Sequence, residues 1–186
     1  VTYVLLTPEW TAAYAAGLRR HEHHCARKGR RVTPSGLEQE AYGAVAEFAV
    51  AKLLNGVCDL EVGPDHYGGV DVIVPGFDRP VEVKATKYAT GRLFVYKDTR
   101  DDAVVVLATV NDIQRSVTIR GWIDATVAKD PGHWNADLLY PAFDWRQNQL
   151  HPVETLPCLS SSPPSPPSPS PPPATPGASE SNPGSP

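Results

Sequence analysis

The stretch GVDVIVPGFDRPVEVKAT, Gly69–Thr86, decides how this chain folds. Two short runs rich in valine, GVDVIV and VEVKAT, flank the turn-forming segment PGFDRP, the pattern of two β-strands joined by a short connection. Side chains alternate along a strand, so Val81, Val83 and Ala85 share one face and Glu82, Lys84 and Thr86 the other. In the first run Val70, Val72 and Val74 face one way and Asp71 and Ile73 the other. A short connection favours antiparallel pairing, which brings Asp71 beside Glu82 on the polar face. Charged residues on a strand are commonly a solvated face. The alternative is a chemical one: two neighbouring carboxylates repel unless a cation neutralises them, and oxygen ligands suit Mg²⁺. Lys84, on the same face, is placed to steady an attacking water or the charge growing on a transferring phosphoryl group.

Upstream the period is helical. Thr7-Pro8-Glu9 reads as an N-cap, a first-turn proline and an early acid, which predicts a helix from Pro8 to about Arg27. A second helix opens at Pro34-Ser35-Gly36, with Ser35 and Glu38 as a capping box, and stops at Asn55-Gly56. Its expected apolar stripe is Leu37, Ala41, Ala44, Val45, Phe48, Ala51 and Leu54. Val57–Val62 reads as a strand ahead of the central pair. Arg92–Tyr96, Ala103–Val110 and Val117–Ile123 read as strands after it, with AVVVLATV apolar enough to be central. GHWNADLLYPAFDWRQNQL is rich in aromatics and reads as a short helix or an ordered loop over the sheet. Helices followed by a mixed sheet predict an α/β (or α+β) domain.

Of the 186 residues, 41% are apolar and 20% charged, which suits one domain with an addition. The addition is the proline- and serine-rich end, 159–186, which lacks a hydrophobic run and reads as a disordered tail after a domain over 1–158. Docking of the tail into an aromatic groove is the less economical alternative. Net charge is −4, and Glu180 is the tail's one charge, leaving −3 for the rest. Global charge therefore gives no support to nucleic-acid binding, and any such case rests on a local patch. Three cysteines without paired spacing suit a reduced, cytoplasmic setting. No run is apolar and long enough to span a membrane, so a membrane partner is not expected. No interface stripe stands apart from the core pattern, which leaves a monomer and a homo-oligomer equally compatible. Motifs for a P-loop, a Rossmann site and a serine hydrolase are absent.

Asp71, ten intervening residues and then Glu82-Val83-Lys84 resembles the signature of the PD-(D/E)xK, restriction-endonuclease-like nuclease superfamily. The order of parts, from the EAYGAVAEFAVAKLL helix through the ExK strand and GRLFVYKDTRDDAVVVLAT to RGWI, is similar to that of small phage-type proteins. The likeness covers roughly residues 36–110. It implies a mixed central sheet flanked by helices and Mg²⁺- (or Mn²⁺-) dependent hydrolysis of nucleic acid, DNA above all, in a bacterial host or from a phage. It also implies metal ligation by Asp71, Glu82 and the Val83 carbonyl, with Lys84 positioning the attacking water. A helix glutamate would assist. Glu47 is preferred as nearer the middle of its helix, Glu40 remains open, and Gly43 between them would let the helix sit close to the sheet. Two departures stand out: Val70, not proline, precedes Asp71, and the literal Pro64-Asp65 lies in a turn seventeen residues before Glu82. A non-catalytic nucleic-acid-binding or virion-associated protein on the same scaffold, or an assembly protein, is the rival expectation.

RRHEHHCARKGRR, Arg19–Arg31, is the strongly basic stretch. It offers phosphate contacts through Arg19, Arg20, Arg27, Lys28, Arg30 and Arg31, or simply complements a helix C-terminus. His21, His24 and Cys25 fall within one turn and permit a zinc reading, without a second ligand cluster. His66 and Tyr67 would lie near a bound phosphate, and Lys87, Arg92, Lys97, Arg100 and Arg115 are candidate channel cations. Asp101-Asp102 reads as a turn. Trp122, Trp134, Tyr140, Phe143 and Trp145 are candidates for base stacking or, at this density, for a lid or core.

Overall fold

The computed structural model describes residues 1–61 and 70–160. His66, Tyr67, the Pro64-Asp65 pair and the tail from residue 161 lie outside the described residues. The elements in chain order are β1 (Thr2–Val4), α1 (Thr7–Arg27), α2 (Pro34–Leu53), β2 (Val81–Thr86), β3 (Leu93–Val95), β4 (Val104–Asn111), β5 (Ser116–Asp124), α3 (Ala125–Ala128), β6 (Trp134–Asn135), β7 (Ala142–Trp145) and α4 (Pro157–Ser160). The main sheet runs β1-β5-β4-β2 and is mixed, since β4 pairs parallel to β2 and antiparallel to β5. Helices flank it, as expected for an α/β domain: α2 packs on β2 and β4, and α1 packs on α2.

Alternation along β4 explains why its sequence is apolar throughout. Val104, Val106, Ala108 and Val110 face a core shared with α1 and α2. Val105 and Leu107 face a second core built with Leu93, Val95, Ile123, Phe143 and Trp145. A strand buried on both faces cannot show the polar alternation of a half-buried one. The second core exists because GHWNADLLYPAFDWRQNQL is more than a short helix or an ordered loop: short 3-10 helices at Pro131–His133 and Gln147–Gln149 flank two strands. It supplies β6 and β7, which with β3 make a second sheet in the order β3-β7-β6. Its aromatic side chains, rather than a repeating pattern, are what cover the main sheet. Phe143, Trp145 and, in the first core, Trp122 are buried, whereas Tyr140 is exposed.

Several boundaries shift for identifiable reasons. The cap of α1 is Leu6, not Thr7, because Glu9 reaches back to accept from the Leu6 N–H at 3.0 Å. The cap of α2 is Thr33, not Ser35; its hydroxyl accepts from the Gly36 N–H at 3.2 Å. The α2 stop falls where expected, with Asn55 at φ 50° and the Gly56 N–H closing onto the Ala51 carbonyl at 2.8 Å. The expected single stripe on α2 is too narrow. Ala46, Ala49 and Val50 are buried as well, since the helix lies between α1 and the sheet and has two covered faces. Of the expected strands Val57–Val62 and Gly69–Val74, the described residues 57–61 and 70–74 contribute antiparallel bridges, Val57 with Ile73 and Val72 with Val81, rather than full strands; Val62 and Gly69 lie outside the described residues.

Gly43 is not the point of close approach. A Cβ there would meet only Glu47 Oε1, at 3.9 Å. The tight crossing is between the helices at Gly17, where a Cβ would stand 2.4 Å from the Glu40 carbonyl oxygen and 2.5 Å from Ala41 Cα.

Candidate active site

The edge strand β2 presents Glu82 and Lys84 on one face, half-buried, while Val81 and Val83 enter the helix-side core. The Val72–Val81 bridge sets an antiparallel register in which Asp71 falls opposite Glu82. Asp71 does not continue the ladder with its backbone. Its Oδ2 accepts the Val83 N–H at 2.7 Å, so a carboxylate stands where a strand partner's carbonyl would be. In an extended strand the N–H and C=O of one residue point to the same edge, so the Val83 carbonyl lies on the Asp71 side. Lys84 Nζ is 2.5 Å from Glu82 Oε1, and the Thr99 hydroxyl donates to the same oxygen at 3.3 Å.

These groups open on one cavity of about 250 Å³, lined by Asp71, Glu82, Lys84, Tyr96, Asp98, Thr99 and Arg100. The last four come from the turn after β3. Arg100 is among the candidate channel cations, but Tyr96, Asp98 and Thr99 are not expected here from the sequence, and nothing local signals that this segment folds over Glu82. Arg100 is held by Asp102 through two bonds of 3.0 and 2.7 Å.

Glu47 approaches from the α2 side. It is buried, with 9% of its surface exposed, and is not among the residues lining the cavity. Its partner is Arg20, three residues beyond the Gly17 crossing: Nη1 donates to Glu47 Oε2 at 2.6 Å, and Nη2 donates to the Asp59 carbonyl. Burial raises the Glu47 pKa, and the Arg20 charge opposes that rise. Asp71 shares this field. Burial first and the Glu47 charge second push its carboxyl up to about 7, against the pull of the Val83 N–H and of Lys84. Glu47, Asp71, Glu82 and Lys84 thus form one electrostatic neighbourhood, brought from a helix, a bridge segment and a strand. Glu40, by contrast, is exposed.

Arg20 therefore stands apart from the rest of the basic stretch. Arg19, Arg27, Lys28, Arg30 and Arg31 are exposed, while Arg20 turns inward to the candidate site. The zinc trio does not assemble: Cys25 is buried with Sγ 3.4 Å from His21 Nε2, and His24 is exposed. Of the other cations, Lys87 pairs with Glu38 at 2.8 Å, Arg92 with Asp144 at 2.5 Å, and Arg115 donates to the Thr7 hydroxyl at 2.6 Å. Lys97 lies over the Trp134 ring, 4.2 Å from its centroid. Asp101-Asp102 is a turn.

Among the described residues no three His, Cys, Asp or Glu side chains gather closely enough to form a ready-made ion cage. The donor chemistry is nonetheless that of a hard cation: carboxylates and a carbonyl, with burial and the neighbouring Glu47 raising the cost of ionising Asp71, a cost a cation would relieve. No helix among the described residues is long and apolar enough to cross a membrane. No protein-family model, curated protein or solved structure matches the chain, and the functional reading accordingly rests on geometry and chemistry.

Proposed function

We propose that this chain is a Mg²⁺- (or Mn²⁺-) dependent phosphodiesterase acting on nucleic acid, with DNA as the favoured substrate and the bacterial cytoplasm as the setting. The observation that carries the reading is the convergence of Asp71, Glu82 and Lys84 on one cavity, with buried Glu47 in the same field. Asp71, Glu82 and the Val83 carbonyl would hold the ion. When bound, it would supply Lewis-acid stabilisation of charge on a phosphoryl oxygen.

The remaining chemistry belongs to the side chains. Lys84, tethered to Glu82 at 2.5 Å, keeps its ammonium at the cavity and orients water or a phosphate oxygen there. Thr99 donates to the same Glu82 oxygen that Lys84 engages and helps fix the carboxylate. Arg20 favours the charged form of Glu47 against the effect of burial and holds its carboxylate in place near Asp71. The exposed Arg19, Arg27, Lys28, Arg30 and Arg31 offer phosphate contacts beyond the cavity.

The test is cleavage of linear, nicked, branched and single-stranded DNA, with RNA alongside, in Mg²⁺ or Mn²⁺. Cleavage should be abolished by EDTA and should drop at least about a hundredfold in Glu82→Ala and Lys84→Ala. Cleavage that persists in both variants refutes the assignment. One observation favours a second reading, a nucleic-acid-binding protein that does not cut. Glu47 is already engaged by Arg20, and among the described residues no three-ligand cage stands assembled. That reading predicts metal-independent DNA retention through the basic arm without products.

A further inference from the structure

A second polar cavity lies at the other end of the main sheet. It has a volume of about 560 Å³ and is lined by side chains the site above does not use. Its floor is set by strand register. Thr2 pairs with Thr118, Thr118 with Thr109, and Thr109 with Thr86. Four threonines thus cross β1, β5, β4 and β2 in a single row, spanning about 14 Å at the usual strand spacing of about 4.8 Å, and the first three, Thr2, Thr118 and Thr109, line the cavity. The row occupies the same sheet face as Glu82 and Lys84, because Lys84 and Thr86 are two residues apart on β2.

Arg120 enters this cavity because of an irregularity. The β4–β5 register shifts between Leu107 and Ala108, where Leu107 pairs with Gly121 and Ala108 with Ile119, leaving Arg120 as the extra residue of a bulge. A bulge re-aims a side chain, and here Arg120 Nε donates to the Thr109 hydroxyl at 2.9 Å. Among the described residues that hydroxyl is the partner of a half-buried guanidinium that makes no ion pair, so its remaining N–H groups are open to a ligand. The Thr2 and Thr118 hydroxyls share one bond of 2.9 Å, which leaves one of their two protons for a ligand. Two acids also line the cavity. Glu38 is neutralised by Lys87 at 2.8 Å, and Asp112 accepts the Ile113 N–H of the β4–β5 turn at 2.9 Å. An arginine fork beside converging hydroxyls is the chemistry of a phosphate site.

We propose that the cavity formed by Arg120, Thr2, Thr109 and Thr118 binds a phosphate group, and that this phosphate belongs to the backbone of a nucleic-acid strand whose neighbouring segment lies over Lys84. The phosphate chemistry stands on this cavity alone; the strand as its source rests on the phosphodiesterase reading. A free phosphomonoester is the other source, and the experiment separates the two.

The full chain is studied in EDTA, so that cleavage plays no part. Binding of a short fluorescein-labelled oligothymidylate is followed by anisotropy across a salt series, and binding of inorganic phosphate by calorimetry. Wild type should bind both, and Arg120→Gln should weaken both by about fivefold or more and lower the salt slope for the oligonucleotide by about one. Weakening confined to inorganic phosphate assigns the cavity to a free phosphomonoester and refutes the strand. Unchanged binding of both probes, or no binding by wild type, overturns the proposal. Should Arg120→Gln fail to fold by circular dichroism, Thr109→Val, which removes the hydroxyl without changing the size of the side chain, separates the same outcomes. Absence of DNA cleavage in Mg²⁺ would count against the phosphodiesterase reading and would leave these binding measurements unaffected.

Discussion

Replacing Arg20 with methionine tests the ion pair at the back of the candidate site. Methionine keeps most of the apolar stem and removes the guanidinium, so Glu47 loses the group 2.6 Å away while remaining 9% exposed. A carboxylate in such surroundings takes up a proton rather than stay charged. From its ordinary value of 4.5, holding that proton costs about 1.4 kcal/mol per pH unit. The ceiling is about 3.4 kcal/mol at pH 7 and about 0.7 kcal/mol at pH 5. Loss of the bond to the Asp59 carbonyl adds about 1 kcal/mol at either pH. The sign follows from linkage. Arg20 opposes the rise that burial imposes, so without it the folded value of Glu47 climbs further, the variant keeps a proton that its unfolded chain releases, and its stability falls as pH rises above 4.5 toward that folded value. Urea unfolding of wild type and Arg20→Met at pH 5 and pH 7 should therefore give a destabilisation at least about 1 kcal/mol larger at pH 7. Adding Glu47→Gln to the variant should abolish that difference. An equal loss at both pH values would mean that Glu47 is already neutral beside Arg20 in the wild type, and would refute the picture of Arg20 holding it charged.

Asp71 gives a second pH signature. Its carboxyl moves from an ordinary 3.8 to about 7, so the native state binds a proton that the unfolded state has released, and this group lowers stability as pH climbs between those values. Asp71→Asn should remove that decline and gain up to about 4 kcal/mol at pH 8 by urea unfolding, and Mg²⁺ should raise Tm at pH 8 in wild type alone. Gly17→Ala forces a Cβ into the Glu40–Ala41 backbone and should cost about 1–3 kcal/mol in chemical denaturation. A change below about 0.5 kcal/mol would mean that the helices separate freely there. Leu107→Ala empties the centre of the second core, where Leu107 is 1% exposed, and should cost about 2–5 kcal/mol by the same measurement.

The parts legible in the sequence are those whose cause is local. VEVKAT forms β2 over the expected residues, AVVVLATV is the central strand, and the Asn55-Gly56 stop ends α2 where a left-handed residue is needed. The Asp71–Glu82 juxtaposition was also legible, since a short connection and a period of two suffice to place them. Arg20 was not. In sequence it is one of six basic residues in Arg19–Arg31, and only the Gly17 crossing, a contact between two helices, turns it toward Glu47. The second sheet escaped for a similar reason. β6 and β7 have two and four residues, too short for any period to register, and they exist because Phe143 and Trp145 find Leu107 and Ile123 across the gap. Arg120 depended on a bulge, for which Gly121 inside the strand pattern is the one local hint.

The bond from the Val83 N–H to Asp71 has a colloidal consequence. β2 is an edge strand, and an edge with open N–H and C=O groups is a template on which a second molecule can add its own strand. By occupying that donor with a side-chain carboxyl instead of a backbone carbonyl, Asp71 keeps the edge from propagating. A residue of the candidate site would then also guard against aggregation. Asp71 variants should for that reason be compared across protein concentrations, so that a change at the candidate site and strand-to-strand association can be told apart.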